Sequence, residues 1–401
     1  MPEAVIVATA RTPIGRAVKG SLADARPDDL SAFILNDVVG KVEGLELSDV
    51  EDVMWGIGQP GGEGGYNIAR VISAMSNVEI PGVTVNRYCS SSLQTIRMAA
   101  HAIKAGEGDI FVAGGVETVS RYGNGAADTG PHNPVFADAE ARTAERTAEG
   151  ADTWQPPAGL PDIYIAMGQT AENVVQATGV SRERQDEFGV RSQNLAEAAL
   201  ARGFFEREIT PYTLADGTVV SQDDGIRAGT TYEKVSQLQP VFRPDGTVTA
   251  GNACPLNDGA AAVVVMSDTK AAELGLQPLA RIVATGVSAL NPEIMGMGPV
   301  GAITQALGRA GMSIGDMDMI EINEAFAVQV IASADELGID IDRQLNLNGG
   351  AIALGHPFGM TGARIMTTLL NGLEDADKEW GLESMCVGGG QGMAMIVQRM
   401  S

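Results

Sequence analysis

Apolar and polar residues follow the same order in two separate parts of this chain. Residues 47–56 (LSDVEDVMWG) and 314–323 (IGDMDMIEIN) each have the run of apolar residues that is typical of a buried strand. An apolar stripe at helical spacing precedes each of them, at 30–42 and 302–310. The pattern therefore predicts a helix followed by a buried strand in both parts.

The similarity continues further along each part. Each has a second strand that ends in asparagine, then a helix, then a buried strand that closes on glycines. In the first part the strand ends at Asn86, the helix covers 91–104 and the last strand ends at Gly115. In the second part the strand ends at Asn348, the helix covers 360–373 and the last strand ends at Gly390. We infer that the chain contains two copies of one α/β unit.

A segment of different character separates the two copies. Its stretch 137–152 is acidic and alanine-rich without a wide apolar stripe, which predicts a solvated helix or loop. Residues 167–203 have a helical pattern, with Ser181 as a helix N-cap, and an apolar strand at 259–266 belongs again to the first copy. We expect an N-terminal half made of 1–120 and 251–272, an inserted loop domain at 121–250, and a C-terminal half at 273–401.

The charge of the chain restricts its partners. Lys and Arg number 27 against 51 Asp and Glu, which gives a formal net charge of −24. This balance disfavours binding to nucleic acid or to an anionic membrane, and an anionic substrate would need a local group of cations. Hydrophobic residues make up 44% and charged residues 19% of the chain, which favours a packed α/β enzyme over a disordered protein.

Targeting and redox features indicate a cytoplasmic protein. The N-terminal MPEAVIVATARTPIG contains an acidic residue, Glu3, and only a short apolar run, so it predicts a first strand and not a signal peptide. No stretch approaches the ~18 apolar residues of a membrane span. Three cysteines cannot form a disulfide framework, which favours a reducing compartment.

The first candidate for chemistry is Cys89, in VNRYCSSSLQ. It follows a predicted strand and precedes a predicted helix, so its sulfur should lie near the first helical turn. Free backbone N–H groups and the helix dipole favour an anion there. We expect this position to lower the pKa of the thiol and to favour a nucleophilic thiolate. A buried, inert thiol is the structural alternative.

Two further candidates lie in glycine-rich turns of the second copy. His356 is presented from GHPFG, and histidine is the side chain best suited to accept a thiol proton near neutral pH. Cys386 ends a buried strand before GGGQG, where N–H groups are free to bind an oxyanion. A phosphate-binding loop is the competing interpretation, but no Lys-Ser or Lys-Thr follows. The other histidines, His101 and His132, are interpreted as structural.

Two weaker motifs also have competing interpretations. The sequence GIGQPG at 56–61 matches GxGxxG after a strand, which would indicate dinucleotide binding. Pro60 and the glycines after it delay any helix until about Tyr66, however, so no helix N-terminus would meet a pyrophosphate. Asn323, in NEAF, either binds a water or an oxyanion through its amide or caps the helix that follows.

Together these motifs resemble the thiolase family, the acyl-CoA C-acyltransferases that form or cleave 3-ketoacyl-CoA. The resemblance covers nearly the whole chain, with the motifs in the family's order. The matching stretches are RTPIG at 11–15, NRYCSSSLQ at 86–94, AGGVETVS at 113–120, MGQTAENV at 167–174, GNACPLNDGAA at 251–261, GPVGA at 298–302, NEAF at 323–326, NLNGGAIALGHPFGMTGAR at 346–364 and CVGGGQG at 386–392.

The resemblance implies roles for the matched residues. Cys89 would be the nucleophile that takes the acyl group, and His356 would activate it. Cys386 would be the acid/base that protonates the leaving carbanion or removes an α-proton. Asn323 would hold a water that forms one oxyanion hole with the His356 imidazole, and the N–H groups of Cys89 and Gly388 would form the second.

The resemblance also implies a fold and ligands. The family has duplicated α/β halves with five-stranded mixed sheets in a layered αβαβα arrangement, plus an inserted loop domain that clasps CoA. Arg227 matches the basic residue near the CoA adenine, and Met167 and Cys254 fall in motifs at the expected CoA site. CoA and acyl-CoA would be substrates, with no permanently bound cofactor and no metal. Members of the family are homodimers or homotetramers.

Three departures from the family pattern bear on the substrate. Ser92 replaces a usual glycine after the nucleophile, where it would crowd the pocket. Ala166 replaces the histidine of short-chain acetoacetyl-CoA enzymes, and Cys254 stands where serine is usual. We therefore expect degradative cleavage of a 3-ketoacyl-CoA by CoA through an acyl-Cys89 intermediate. A biosynthetic acetoacetyl-CoA thiolase, a β-ketoacyl synthase and a non-catalytic CoA- or lipid-binding protein are the alternatives.

Overall fold

The computed structural model describes residues 2–150 and 153–401 of the chain. Its strands are β1 Ala4–Arg11, β2 Gly15–Arg16, β3 Asp52–Gly56, β4 Gly82–Val85, β5 Ile110–Thr118, β6 Tyr212–Thr213, β7 Val219–Val220, β8 Asn257–Ser267, β9 Ala280–Ala289, β10 Met319–Ile322, β11 Trp380–Val387 and β12 Gln391–Arg399. Its helices are α1 Pro27–Gly40, α2 Ile68–Met75, α3 Ser91–Ala105, α4 Ala137–Glu149, α5 Met167–Thr178, α6 Arg182–Ala201, α7 Tyr232–Val235, α8 Asp268–Glu273, α9 Gly298–Ala310, α10 Ala327–Leu337, α11 Ala351–Leu354 and α12 Thr361–Asp375.

A mixed sheet at the centre repeats one strand order. In the first half the order is β4-β3-β5-β8-β1, with β4, β3 and β5 parallel and β8 antiparallel to both of its neighbours. In the second half it is β10-β11-β12-β9, again with a parallel pair followed by antiparallel pairs. The two halves join where β1 pairs with β9 through two residue pairs. The duplicated α/β architecture is therefore confirmed, with the two sheets linked into one.

The second half has no full strand where the first has β4. The strand expected at 345–348 is reduced to one parallel bridge between Leu345 and Ile320. Asn346 follows with a φ of 46°, which turns the chain away from the sheet. Its side-chain amide bonds to the N–H and the C=O of Ile322, both at 2.9 Å. The Asn346 side chain thus replaces the backbone hydrogen bonds of a strand pair, and the alternation of apolar residues cannot show this replacement.

The helices form layers around the sheet. Apolar side chains of α3 and α12 share one core with strands of both halves, as shown by Leu93, Leu369 and Met385. A second core joins α1 and α2 to the first half, and a third joins α9 and α10 to the second. The N-termini of α3 and α12 touch, because a Cβ added at Gly362 would lie 2.3 Å from the backbone N of Leu93. This contact brings the segments before both helices together.

The segment between β5 and β8 contains α4 to α7 and the short pair β6–β7. The stretch expected as a helix or a loop is the helix α4, and its last two residues, 151–152, lie outside the described residues. Ser181 caps α6 as predicted, since its side chain accepts a hydrogen bond from the backbone N of Arg184 at 3.2 Å. Within 2–150 and 153–401, no helix is long and apolar enough to cross a membrane.

Candidate active site

Cys89 lies where the chain passes from β4 into α3. Tyr88 before it has a φ of 43°, a strained conformation for a residue with a side chain, and a 3-10 turn over Tyr88–Ser90 leads into the helix. The side chain is nearly buried, and the backbone N–H of Gly388 lies near enough to favour the thiolate and lower the pKa of Cys89. The predicted position at the start of the helix is confirmed.

The predicted effect on the thiol is wrong. Burial raises the pKa of Cys89 to about 11, and the N–H groups of Gly388 and of Cys89 itself offset only part of this rise. The cost of removing a thiolate from water outweighs the favourable backbone groups. The thiol is therefore protonated at neutral pH, and it has to give up its proton to a base when it attacks.

His356 is a buried histidine on the turn between α11 and α12. Its backbone N donates to Asn257 Oδ1 at 3.0 Å, and its Nδ1 lies 2.6 Å from Thr361 Oγ1. Gly355 makes this turn possible, because its φ is 113° and a Cβ there would lie 2.6 Å from Asn257 Cγ. Among the described residues, Nε2 has no hydrogen-bond partner. This nitrogen is the one available to a reacting group.

His356 is uncharged, which is the state that a proton acceptor requires, but the burial that keeps it neutral also makes it a weak base. Burial, with a smaller contribution from the nearby Arg364 guanidinium, lowers the pKa of His356 to about 3. The imidazole is thus neutral across the physiological range. Its ring packs edge-on against Phe358, with 5.1 Å between the ring centroids. Phe358 in turn lines the cavity that contains Cys89.

Cys386 lies in β11, two residues before Gly388, and is completely buried. Burial raises the pKa of its thiol well above the ordinary value, and the nearby thiols of Cys89 and Cys254 raise it further. The thiols of Cys89 and Cys254 are therefore within electrostatic range of Cys386. A thiol that stays protonated is suited to donate a proton to a carbanion.

Asn323 does not cap the helix that follows it. The helix α10 begins only at Ala327, and Phe326 occupies the capping position without a side-chain hydrogen bond. The backbone N of Asn323 donates to Ser384 O at 2.9 Å, so the residue lies beside the strand that carries Cys386. Both polar atoms of its buried amide lack partners among the described residues. Because buried amides are rarely unpaired, this indicates a site for a water or a ligand group.

Two cavities adjoin this cluster. The first, of about 420 Å³, contains Cys89 and Gly388, with walls that include Tyr88, Met167 and Phe358. The second, of about 370 Å³, is lined by two of the residues that the resemblance assigns to CoA and by further cations. Its lining includes Arg16, Lys19, Arg227, Phe242 and Cys254. Met167 thus lies in the Cys89 cavity, apart from Arg227 and Cys254.

Sequence reasoning missed several residues of these cavities. His132, for which the sequence predicts a structural role, lines the Cys89 cavity, stacks on Tyr164 at 3.9 Å and bonds to Glu140 at 2.8 Å. Arg16 and Lys19 join Arg227 in the second cavity, and none of these three forms an ion pair within 2–150 and 153–401. Two cations just after RTPIG are unusual in so acidic a chain, and they could have indicated a site for an anionic ligand.

The expectation that Ser92 crowds the pocket is wrong. Ser92 is fully buried, and its hydroxyl accepts a hydrogen bond from the backbone N of Ala363 at 2.9 Å. The side chain therefore faces the contact between α3 and α12. It is not part of the lining of either cavity.

The backbone of the GxGxxG stretch donates hydrogen bonds to a buried carboxylate of the same chain, that of Glu117. The backbone N–H groups of Gly58 and Gln59 donate to Glu117, which also accepts from Gly359 N at 2.9 Å. The next α-helix begins only at Ile68, so no α-helix N-terminus directly follows these glycines. Glu117 instead connects this loop by hydrogen bonds to the turn that carries His356.

In the described part of the chain, no group of three or more His, Cys, Asp or Glu residues could hold a metal ion.

Comparisons with known proteins identify the family. The thiolase N-terminal domain matches residues 4–269, and the thiolase C-terminal domain matches 276–399. The chain is 42% identical to a 3-ketoacyl-CoA thiolase of Bacillus subtilis, over 99% of this chain and 100% of that protein. It is 42% identical to a β-ketoadipyl-CoA thiolase of Acinetobacter baylyi over 100% of both. The structure of the Bacillus anthracis acetyl-CoA acetyltransferase matches with a TM-score of 0.84 and 38% identity, over 100% of this chain and 99% of that one. The chain therefore belongs to the thiolase family and is an acyltransferase.

Proposed function

We propose that this enzyme cleaves a 3-ketoacyl-CoA with CoA, giving acetyl-CoA or another short acyl-CoA and a shortened acyl-CoA. One observation carries the proposal: Cys89 lines a cavity together with Gly388, whose N–H favours the thiolate, while a second buried thiol, Cys386, is within electrostatic range of Cys89. Thioester exchange needs one nucleophile. Cleavage of a carbon–carbon bond needs an additional acid to protonate the carbanion that leaves.

The first half-reaction acylates Cys89. The thiol gives its proton to His356 Nε2 as the sulfur attacks the 3-keto carbon. The bond between C2 and C3 breaks, the acyl group remains on Cys89, and Cys386 gives its proton to C2 of the departing acetyl-CoA. The N–H groups of Cys89 and Gly388, and Asn323 through a bound water, stabilise the oxyanions that form.

The second half-reaction restores the enzyme. The thiol of CoA attacks acyl-Cys89 and loses its proton to the Cys386 thiolate. The shortened acyl-CoA leaves, and the sulfur of Cys89 takes its proton back from His356. Each group thus returns to its starting state. The same groups in reverse order would perform the condensation of two acyl-CoA molecules.

We assign the cavity with the cations to the phosphates of coenzyme A. Arg16, Lys19 and Arg227 would neutralise its phosphates in a chain of net charge −24, and Cys254 in the same cavity also influences the pKa of Cys386. The inserted loop domain at 121–250, whose boundaries stay a prediction, supplies Arg227 and Phe242. The cytoplasmic location and the homodimer or homotetramer are predictions as well.

The acyl group fits the Cys89 cavity best when it is uncharged. The lining includes the apolar side chains of Ile163, Ile165 and Phe358, and the carboxylate of Asp128, which accepts a hydrogen bond from Gln59. It includes neither lysine nor arginine, and its histidine, His132, is bonded to Glu140. A terminal carboxylate, as on the substrate that names the Acinetobacter relative, would meet a like charge without a cation. We therefore assign neutral 3-ketoacyl chains as the substrate class.

Two substrates of equal length test the acyl class. The value of kcat/KM should be at least about five-fold higher for 3-ketohexanoyl-CoA than for 3-ketoadipyl-CoA, because the charges repel. The variant Asp128→Asn should narrow this ratio, while the matched change Asp138→Asn, on α4, should not. A preference for the carboxylate-bearing substrate would refute the assignment of neutral chains.

Two cysteine variants test the mechanism. Cys89→Ser should form no acyl-enzyme with acyl-CoA, as measured by mass spectrometry of the intact chain. Cys386→Ser should still become acylated at Cys89 but should lose the carbon–carbon chemistry. An acyl group on Cys386 or Cys254 would contradict the assignment, and absence of thiolysis with every chain length would favour a CoA- or lipid-binding protein.

A further inference from the structure

Thr361, the first residue of α12, lies between His356 and a backbone carbonyl. Its Oγ1 is 2.6 Å from His356 Nδ1 and 2.8 Å from the carbonyl oxygen of Pro357. Both side chains are buried. The hydroxyl has one hydrogen, so it can donate to only one of these two atoms.

The two possible arrangements are unequal. If the hydroxyl donates to Pro357 O, then His356 Nδ1 carries a hydrogen and donates to Oγ1, and both short contacts are hydrogen bonds. If the hydroxyl donates to Nδ1, Oγ1 and Pro357 O face each other at 2.8 Å with no hydrogen between them. Pro357 O also accepts from the backbone N of Met360 at 3.0 Å, and a carbonyl oxygen has a second lone pair that can accept from the Thr361 hydroxyl. The first arrangement is therefore favoured.

We propose that Thr361 is a positioning residue that holds His356 in the tautomer with hydrogen on Nδ1. The lone pair of Nε2 is then free to accept a proton, and Nε2 is the buried ring nitrogen without a partner among the described residues. In the opposite tautomer Nε2 would carry a hydrogen and could not act as a base. The consequence for catalysis rests on the proposed function, whereas the tautomer itself does not.

Nitrogen NMR of the imidazole tests the tautomer directly. The chain has only three histidines, so protein labelled with ¹⁵N-histidine gives few signals, and the variants His101→Gln and His132→Gln assign them. We expect a protonated Nδ1 and an unprotonated Nε2 for His356 at pH 7. In Thr361→Val both nitrogens should move towards intermediate shifts. A wild-type signal with hydrogen on Nε2 would overturn the proposal.

Kinetics of two matched variants test the consequence. Thr361→Val keeps the size of the side chain and removes the hydroxyl, and it should lower kcat roughly ten-fold, as expected for loss of one buried hydrogen bond, with little change in KM for CoA. Thr361→Ser keeps the hydroxyl and should retain kcat within about two-fold.

The two measurements separate the possible failures. A loss of kcat in Thr361→Ser as large as that in Thr361→Val would show that the hydroxyl alone does not preserve activity, and this would overturn the positioning role. If Thr361→Val does not fold, the wild-type spectrum still tests the tautomer of His356, and the activity of Thr361→Ser still tests the role of the hydroxyl. If no substrate is cleaved by the wild-type enzyme, the proposed function fails, while the spectrum continues to test the tautomer.

Discussion

Removal of the Arg11 guanidinium should loosen the inserted segment from the sheet. Arg11, at the end of β1, is completely buried, and its Nη1 and Nη2 donate to the two oxygens of Asp223 at 2.8 and 2.9 Å. Its Nε and Nη2 also donate to Glu208 Oε1, at 2.9 and 2.8 Å. Both carboxylates belong to the segment between β5 and β8. The variant Arg11→Met would leave these two buried carboxylates without the cation that neutralises them.

The magnitude follows from burial. Loss of one partner of a buried ion pair costs about 3–5 kcal/mol of the free energy of unfolding. With an unfolding entropy of about 2.1 cal/mol/K per residue, a chain of 401 residues has roughly 0.8 kcal/mol/K. The melting temperature of Arg11→Met should therefore fall by about 4–6 °C.

Thermal unfolding at one fixed protein concentration measures this change, since assembly would make the melting temperature depend on concentration. Arg11→Lys keeps the charge but cannot reproduce the forked contacts, so it should give a smaller loss. Combining Arg11→Met with Glu208→Gln and Asp223→Asn should recover part of the loss. A melting temperature for Arg11→Met within about 1 °C of wild type, or no recovery in the triple variant, would refute the reasoning.

Three further outcomes are expected. The rate at which iodoacetamide alkylates Cys89, followed by peptide mass, should still rise above pH 9, because burial raises the pKa of this thiol to about 11; a plateau below pH 9 would contradict this. Burial lowers the pKa of His356 from 6.5 to about 3, so the unfolded chain takes up a proton that the folded chain does not, and the free energy of unfolding should fall as pH drops below 6.5. Urea titrations should show a shallower fall for His356→Asn than for wild type. Arg16→Gln and Lys19→Gln should each raise KM for CoA with little change in kcat, most strongly at low salt, whereas Lys378→Gln should not; equal effects of all three variants would argue against the phosphate site.

Local features of the fold could be predicted from the sequence. Apolar periodicity placed the paired helices and strands of both copies, because burial of one face depends on spacing along the chain. The cap at Ser181 was predictable for the same reason, since its hydrogen bond reaches only three residues ahead. The strand expected at 345–348 failed because the Asn346 amide takes over its hydrogen bonds, which an apolar pattern cannot show.

The sequence by itself determined the duplicated α/β architecture, the family resemblance and the identity of Cys89, His356 and Cys386 as candidates. Only the tertiary structure decided their chemical state. Burial reversed the expected change in the Cys89 pKa, and contacts with Thr361 and Asn257 set the orientation of His356. It also decided that His132 shares a cavity with Cys89 and that Arg16 and Lys19 share a second cavity with Cys254. The physical reason is that desolvation and hydrogen bonding depend on every neighbour in space, whereas a motif records only neighbours along the chain.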